Sequence, residues 1–156
     1  MLDTLNARRV MPGVMPLLSD VMITREQVMP LLLDACPSFT EKWKAHRAFY
    51  EDEDLLYVDL GEFAHHLVAL HKANLTDEFP AVFEIIERLH LEGDAYVKEA
   101  ATIGMLEGLQ NVAGNSGVDP EEFSRYLKPE SAKWWRQVNE LWEGKIPSVG
   151  SSPHEA

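Results

Sequence analysis

Two pairs of residues in this sequence have the spacing of a metal site. Glu62 and His65, like Glu87 and His90, stand three positions apart, which on a helix brings a carboxylate and an imidazole onto one face. In bundles that hold two iron or manganese ions, such pairs from facing helices supply the ligands. A connection near Leu75 would set both pairs at a similar height on antiparallel helices. Helical phase opposes their convergence. Leu60, Phe63, Ala64, Leu67 and His71 form the inward stripe of the first helix, and at about 100° per residue Glu62 and His65 fall roughly opposite it. On the second helix Phe79, Val82, Phe83, Ile86 and Leu89 form the stripe, with His90 on it and Glu87 at its flank. The expectation is no metal and no cofactor, with Glu62, His65, Glu87 and His90 as the rival ligand set.

The same phase places His71 and His90 on apolar faces. A third helix adds Glu107, Gln110 and Asn111 to an otherwise apolar surface, beside a stripe of small residues (Val97, Ala100, Ala101, Gly104, Gly108) that lets another helix approach closely. An unmade buried hydrogen bond costs about 1–3 kcal/mol. These five polar residues are therefore expected to form an internal network that sets the packing register. The functional alternative is a cleft in which Glu107 acts as an acid or base.

Cys36 is the only cysteine. It rules out an intrachain disulfide and a cysteine-based zinc site, and with no base beside it in sequence it reads as a buried, inert thiol. No Gly-x-Ser-x-Gly elbow and no phosphate-cradling glycine loop occurs. Ser116, within Gly114-Asn115-Ser116-Gly117, reads as a turn residue. The chain is expected not to be an enzyme.

The elements that would position these residues are helical throughout. Thr24 with Gln27 is a capping box opening a helix through about Ala35, in which Pro30 predicts a kink or a late start. Ser38 with Glu41 reads as a second box, ahead of a helix carrying Phe39, Trp43, His46, Phe49 and Tyr50. Glu51-Asp52-Glu53-Asp54 reads as an exposed loop. A helix from about Val58 to Ala73, closed by Asn74, is followed by one capped by Thr76 and stopped at Gly93. Asp94 caps a third, ending at Gly114. Asp119-Pro120-Glu121-Glu122 is a strong helix start, and the last helix runs from about Glu130 to Glu143. It crowds Trp134, Trp135 and Trp142; adjacent tryptophans point about 100° apart, so either the helix is wrapped on two sides or one ring reaches the surface. Residues 1–23 read as an N-terminal segment with short helices, 24–144 as one helical domain and 145–156 as a flexible tail. The prediction is an all-α, compact bundle of about seven helices with a HEAT-like antiparallel centre, since short connections force neighbours to run antiparallel.

The balance of 14 Lys and Arg against 26 Asp and Glu leaves a formal charge of −12 in 156 residues. Such a surface repels nucleic-acid backbones and anionic lipid, and favours a basic partner. No uninterrupted apolar run approaches the roughly 18 residues of a membrane span. A cytoplasmic location is expected.

From Pro30 through Gly144 the chain resembles a bacterial family of small all-helical domains of uncharacterised function. The likeness rests on Pro30-Leu31-Leu32-Leu33, Ala35-Cys36-Pro37-Ser38-Phe39, Asp59-Leu60-Gly61-Glu62-Phe63, Ile86-Glu87-Arg88-Leu89-His90, Glu99-Ala100-Ala101-Thr102-Ile103-Gly104, Leu106-Glu107-Gly108-Leu109-Gln110-Asn111 and Lys133-Trp134-Trp135. In size, acidity and helical build the family is similar to the immunity proteins that accompany secreted bacterial toxins. That resemblance implies a non-catalytic domain that occludes a cognate, basic toxin, acting as monomer or homodimer. Candidate contacts are Glu51, Asp52, Glu53, Asp54, Asp59, Glu62 and Trp135. The alternatives are a HEAT-like intracellular scaffold or adaptor, and a metal-binding enzyme using the Glu-x-x-His pairs.

Overall fold

The computed structural model describes residues 22–50 and 55–144. The expected N-terminal short helices, the acidic run from Glu51 to Asp54 and the tail from Lys145 lie outside the described residues. Seven α-helices are described: α1 (Arg25–Ala35), α2 (Thr40–Phe49), α3 (Leu56–Lys72), α4 (Phe79–Glu92), α5 (Ala95–Glu99), α6 (Glu107–Asn115) and α7 (Pro129–Trp142). A 3-10 turn, Pro37–Phe39, precedes α2, and a 3-10 segment, Pro120–Tyr126, precedes α7. Between α5 and α6 the helix is continuous but wound as a π-helix over Ala100–Leu106. Among the described residues there is no strand, only a single bridge from Ile23 to Gly93.

The local start signals divide into two groups. Three act as read from sequence. Gln27 Oε1 accepts from the Thr24 amide at 2.9 Å, Asp94 Oδ1 from the Val97 amide at 2.9 Å and Asp119 Oδ1 from the Glu121 amide at 3.0 Å. Asn74 closes α3 with φ 60°. α1 is continuous from Arg25 through the exposed Pro30, so the late start does not occur. The other starts differ. α2 has Phe39 at its cap position and no box with Glu41, and α4 is preceded by Glu78 rather than capped by Thr76. α3 begins two residues earlier than expected, at Leu56.

The core is apolar and aromatic. Phe39, Phe63, Phe79, Phe83 and Phe123 are fully buried. The predicted stripes of α3 and α4 point inward, since Leu60, Phe63, Ala64 and Leu67, with Val82, Phe83, Ile86 and Leu89, have almost no exposure. Phe79 and Phe83 hold the 3-10 segment onto α4 through Phe123 and Tyr126, at ring separations of 5.1 to 6.0 Å.

The HEAT-like centre is not confirmed. α3 packs most extensively along the π segment and α6 rather than on its sequence neighbour α4. It runs parallel to them: a Cβ at Gly104 would come within 2.9 Å of Leu60 Cδ1, and further along both helices Lys72 Nζ reaches the Ser116 carbonyl at 3.4 Å. Gly104 is what permits that approach. Gly93 serves the turn between α4 and α5 in the same way, because a Cβ there would meet Leu89 O and Val97 at 2.5 Å. The chain before α1 lies against this turn, with Ile23 N donating to Glu92 O and Asp94 N donating to Ile23 O. α2 is the outlier of the bundle. His46 is its only buried residue, and its closest packing is on the 3-10 turn that introduces it.

Candidate functional site

The residues able to do chemistry gather into two clusters of one composition, each a glutamate, a serine and a histidine, at opposite ends of α4. Both exist because a helix start leaves amides without intrahelical partners. α7 begins after Lys128, whose side chain cannot accept a hydrogen bond, and the 3-10 turn that introduces α2 begins after Cys36, whose thiol is itself a donor to Glu78. A carboxylate from elsewhere in the chain supplies the acceptor, and its charge complements the positive helix end.

At α7, Glu87 Oε2 accepts from the Glu130 amide at 2.9 Å, and Oε1 from the Ser131 amide and hydroxyl at 2.9 and 2.8 Å. The Ser131 hydroxyl also lies 3.3 Å from His90 Nδ1. Since Ser131 donates to Glu87, His90 Nδ1 carries the proton, which it gives chiefly to Ile86 O at 3.0 Å; Nε2 then accepts from Thr102 Oγ1 at 3.1 Å. Glu87, His90, Thr102 and Ser131 are all buried. Burial pushes the Glu87 carboxyl up, but the bonds from Glu130 and Ser131 together with nearby His90 outweigh it and hold the group below the usual carboxylate range. Burial holds His90 below the ordinary imidazole range against the opposing pull of Ile86 O, Glu87 and Glu130.

At α2, Glu78 Oε2 accepts from the Ser38 amide at 3.2 Å, and Oε1 from the Ser38 hydroxyl at 2.6 Å and the Cys36 thiol at 3.1 Å. The Ser38 hydroxyl is 2.9 Å from His66 Nε2. Because that hydroxyl already donates to Glu78, His66 Nε2 is the donor to it. The imidazole therefore cannot take a proton from Ser38, and the nucleophile–base reading of this Ser–His pair fails on hydrogen-bond direction. His66 Nδ1 is buried with no partner. Burial first, and then Lys42, holds His66 below the ordinary imidazole range. Burial and Glu78 push the Cys36 thiol up to about 12, far from nucleophilic at neutral pH. Burial raises the Glu78 carboxyl, but the bonds from Ser38 and Cys36 and the proximity of His66 bring it net below the usual range.

The sequence-derived candidates fall in different places. Glu62 is half-buried and His65 exposed on the outer side of α3, whereas both Glu87 oxygens are engaged at α7. Among the described residues no group of three or more His, Cys, Asp or Glu side chains could hold a metal ion. The expected five-membered network does not form as one unit. His90 belongs to the Glu87 cluster. His71 Nε2 pairs with Glu122 near the 3-10 segment, Gln110 Nε2 reaches the Trp135 carbonyl at 3.4 Å, and Asn111 is exposed. Glu107 is half-buried, its carboxyl raised by burial alone.

Two candidates for partner contact are corrected. Asp59 is buried, its Oδ1 2.7 Å from His46 Nε2. Trp135 is 2% exposed because it shares a face with the fully buried Ser131 and Val138, and its Nε1 donates to Glu121. Trp142 is the exposed ring of α7. Reading by sequence missed Ser38, His66 and Glu78 as a group, and it missed Ser131 and Thr102. The one available signal was Lys128: a helix start preceded by lysine needs a remote acceptor.

Fold and clusters define a small all-α bundle whose reactive side chains are bonded into helix starts. Residues 29–143 match the family model described as a domain of unknown function (DUF7674), and the chain belongs to that family. No curated protein and no solved structure matches it.

Proposed function

We propose that this chain is a non-catalytic protein-binding domain, and specifically an immunity protein that neutralises a cognate bacterial toxin in the cytoplasm by occluding it. The observation that carries this reading is Phe49, a large apolar side chain left 76% exposed at the end of α2, immediately ahead of Glu51-Asp52-Glu53-Asp54. Tyr57 and Val58, just after that run, are exposed as well. An exposed aromatic beside concentrated negative charge is the composition of a docking surface: the ring supplies an anchor that loses water on binding, and the acids steer a basic partner. The formal charge of −12 acts in the same direction. The bonding of Ser38, Ser131, Glu78 and Glu87 at helix starts further supports a role in binding rather than turnover.

Co-expression with the product of the adjacent reading frame tests this. The wild-type chain is expected to restore growth of cells making that product, and Phe49→Ala or charge reversal at 51–54 to weaken the rescue at least about tenfold, the loss of a modest hot spot. Absence of rescue by the wild type ends the immunity reading. Full rescue by both variants removes this surface from it.

A further inference from the structure

α2 is attached to the bundle in an unusual way. Its one buried residue is a histidine, His46, held by Asp59 at 2.7 Å, and the 3-10 turn that introduces it is held by Glu78 and His66 through Ser38. Its ring contacts include those of Phe39 in the preceding turn, which meets Phe63 and His66 at 5.1 and 5.2 Å, and of Trp43, whose ring packs 6.2 Å from Phe39. The two polar attachments differ in how fully they are bonded. His46 Nε2 lies 2.7 Å from Asp59 Oδ1, and both side chains are buried. A proton on His66 goes to Nδ1, which is buried with no acceptor, and the charge of Lys42 opposes it.

We propose that the 3-10 turn and the first turn of α2, Pro37 to Trp43, form a hinged arm that detaches from α3 and from Glu78 under mild acid while the far end of α2 stays held by His46 and Asp59. The charged and titratable groups facing His66 are Lys42 from α2 and Glu78 ahead of α4, with Ser38 between them; those facing Glu78 are Cys36, Ser38 and His66. The direction follows from the closed state. It favours neutral His66, so detachment takes up a proton once pH falls below the ordinary 6.5 of that imidazole. Glu78 favours its ionised form when closed and adds to the opening below its ordinary 4.5. The fully bonded His90 cluster has no orphaned nitrogen, and α7 buries Ser131, Trp135 and Val138 behind it, so the same proton opens nothing locally there. The inference is independent of whether Phe49 docks a partner.

Peptide-resolved hydrogen exchange on the full chain tests it. After correction for intrinsic rates, peptides spanning 37–45 are expected to exchange faster near pH 5.5 than near pH 7.5, by up to about tenfold, the ceiling that one proton on an imidazole of ordinary 6.5 sets. Peptides from α3, α4 and α7 are expected to keep their protection. Glu78→Gln should exchange fast in 37–45 already near pH 7.5, and His66→Gln, whose amide can still donate to Ser38, should lose the pH response while staying closed. Protection of 37–45 that is independent of pH, loss of protection spread equally over all helices, or an unchanged pH response in His66→Gln would each overturn the proposal.

Discussion

Glu87–Ser131–His90 and Glu78–Ser38–His66 are built from the same three residue types for the same task, yet they differ in kind. In the first, both imidazole nitrogens, both carboxylate oxygens and the hydroxyl are bonded, and every member is buried. In the second, Ser38 is exposed and His66 keeps an unpartnered nitrogen. The lesson is that stability comes from complete satisfaction of a polar cluster rather than from its composition. A fully bonded buried network rigidifies its surroundings, and a partly bonded one is where structure gives way first.

The largest consequence is in stability. Glu87→Ala removes the acceptor for two amides and a hydroxyl in a dry site and is expected to lower unfolding free energy by about 3 kcal/mol, whereas Glu78→Ala, where water can replace the carboxylate, should cost about 1 kcal/mol. Denaturant titration of both variants measures this, and equal losses would erase the distinction between the clusters. Next comes pH. His66 and His90 are both held below their ordinary 6.5, so the folded state binds fewer protons than the unfolded chain in that range. Their contribution is complete above about pH 7 and declines as pH falls through 6.5. Glu78 and Glu87 add a second decline below 4.5. Unfolding free energy that stays level from neutral pH to about 5 would contradict the burial of both imidazoles. At Cys36 the contrast is read in reactivity and leaves stability aside. With its thiol pushed up to about 12, alkylation of the native chain at neutral pH should run roughly a thousandfold slower than in denaturant. Glu78→Gln should recover part of that rate, and a native rate close to the denatured one would show that Glu78 and burial do not suppress the thiolate.

Much of the fold was legible in local sequence. The apolar stripes of α3 and α4, the caps at Thr24, Asp94 and Asp119, and the stop at Asn74 are all decided by residues within a turn of one another. Phase alone placed Glu62 and His65 away from the core. Charge and aromatic character misplaced Asp59 and Trp135 on a docking surface, because burial of a polar or amphipathic side chain depends on what faces it: His46 lies across from Asp59, and Glu121 receives the Trp135 indole.

What the sequence determined by itself is the helices, their inward faces and the acidic surface, since these follow from periodicity and composition. Only the tertiary structure decided that α3 lies parallel to α6 and that Glu78 and Glu87 bind the amides of a 3-10 turn and of a helix start 40 or more residues away. It alone left one histidine bonded on both sides and the other on one. The physical reason is that an acceptor for an orphaned amide need only be near in space, and no spacing in the chain records where a distant carboxylate will come to rest.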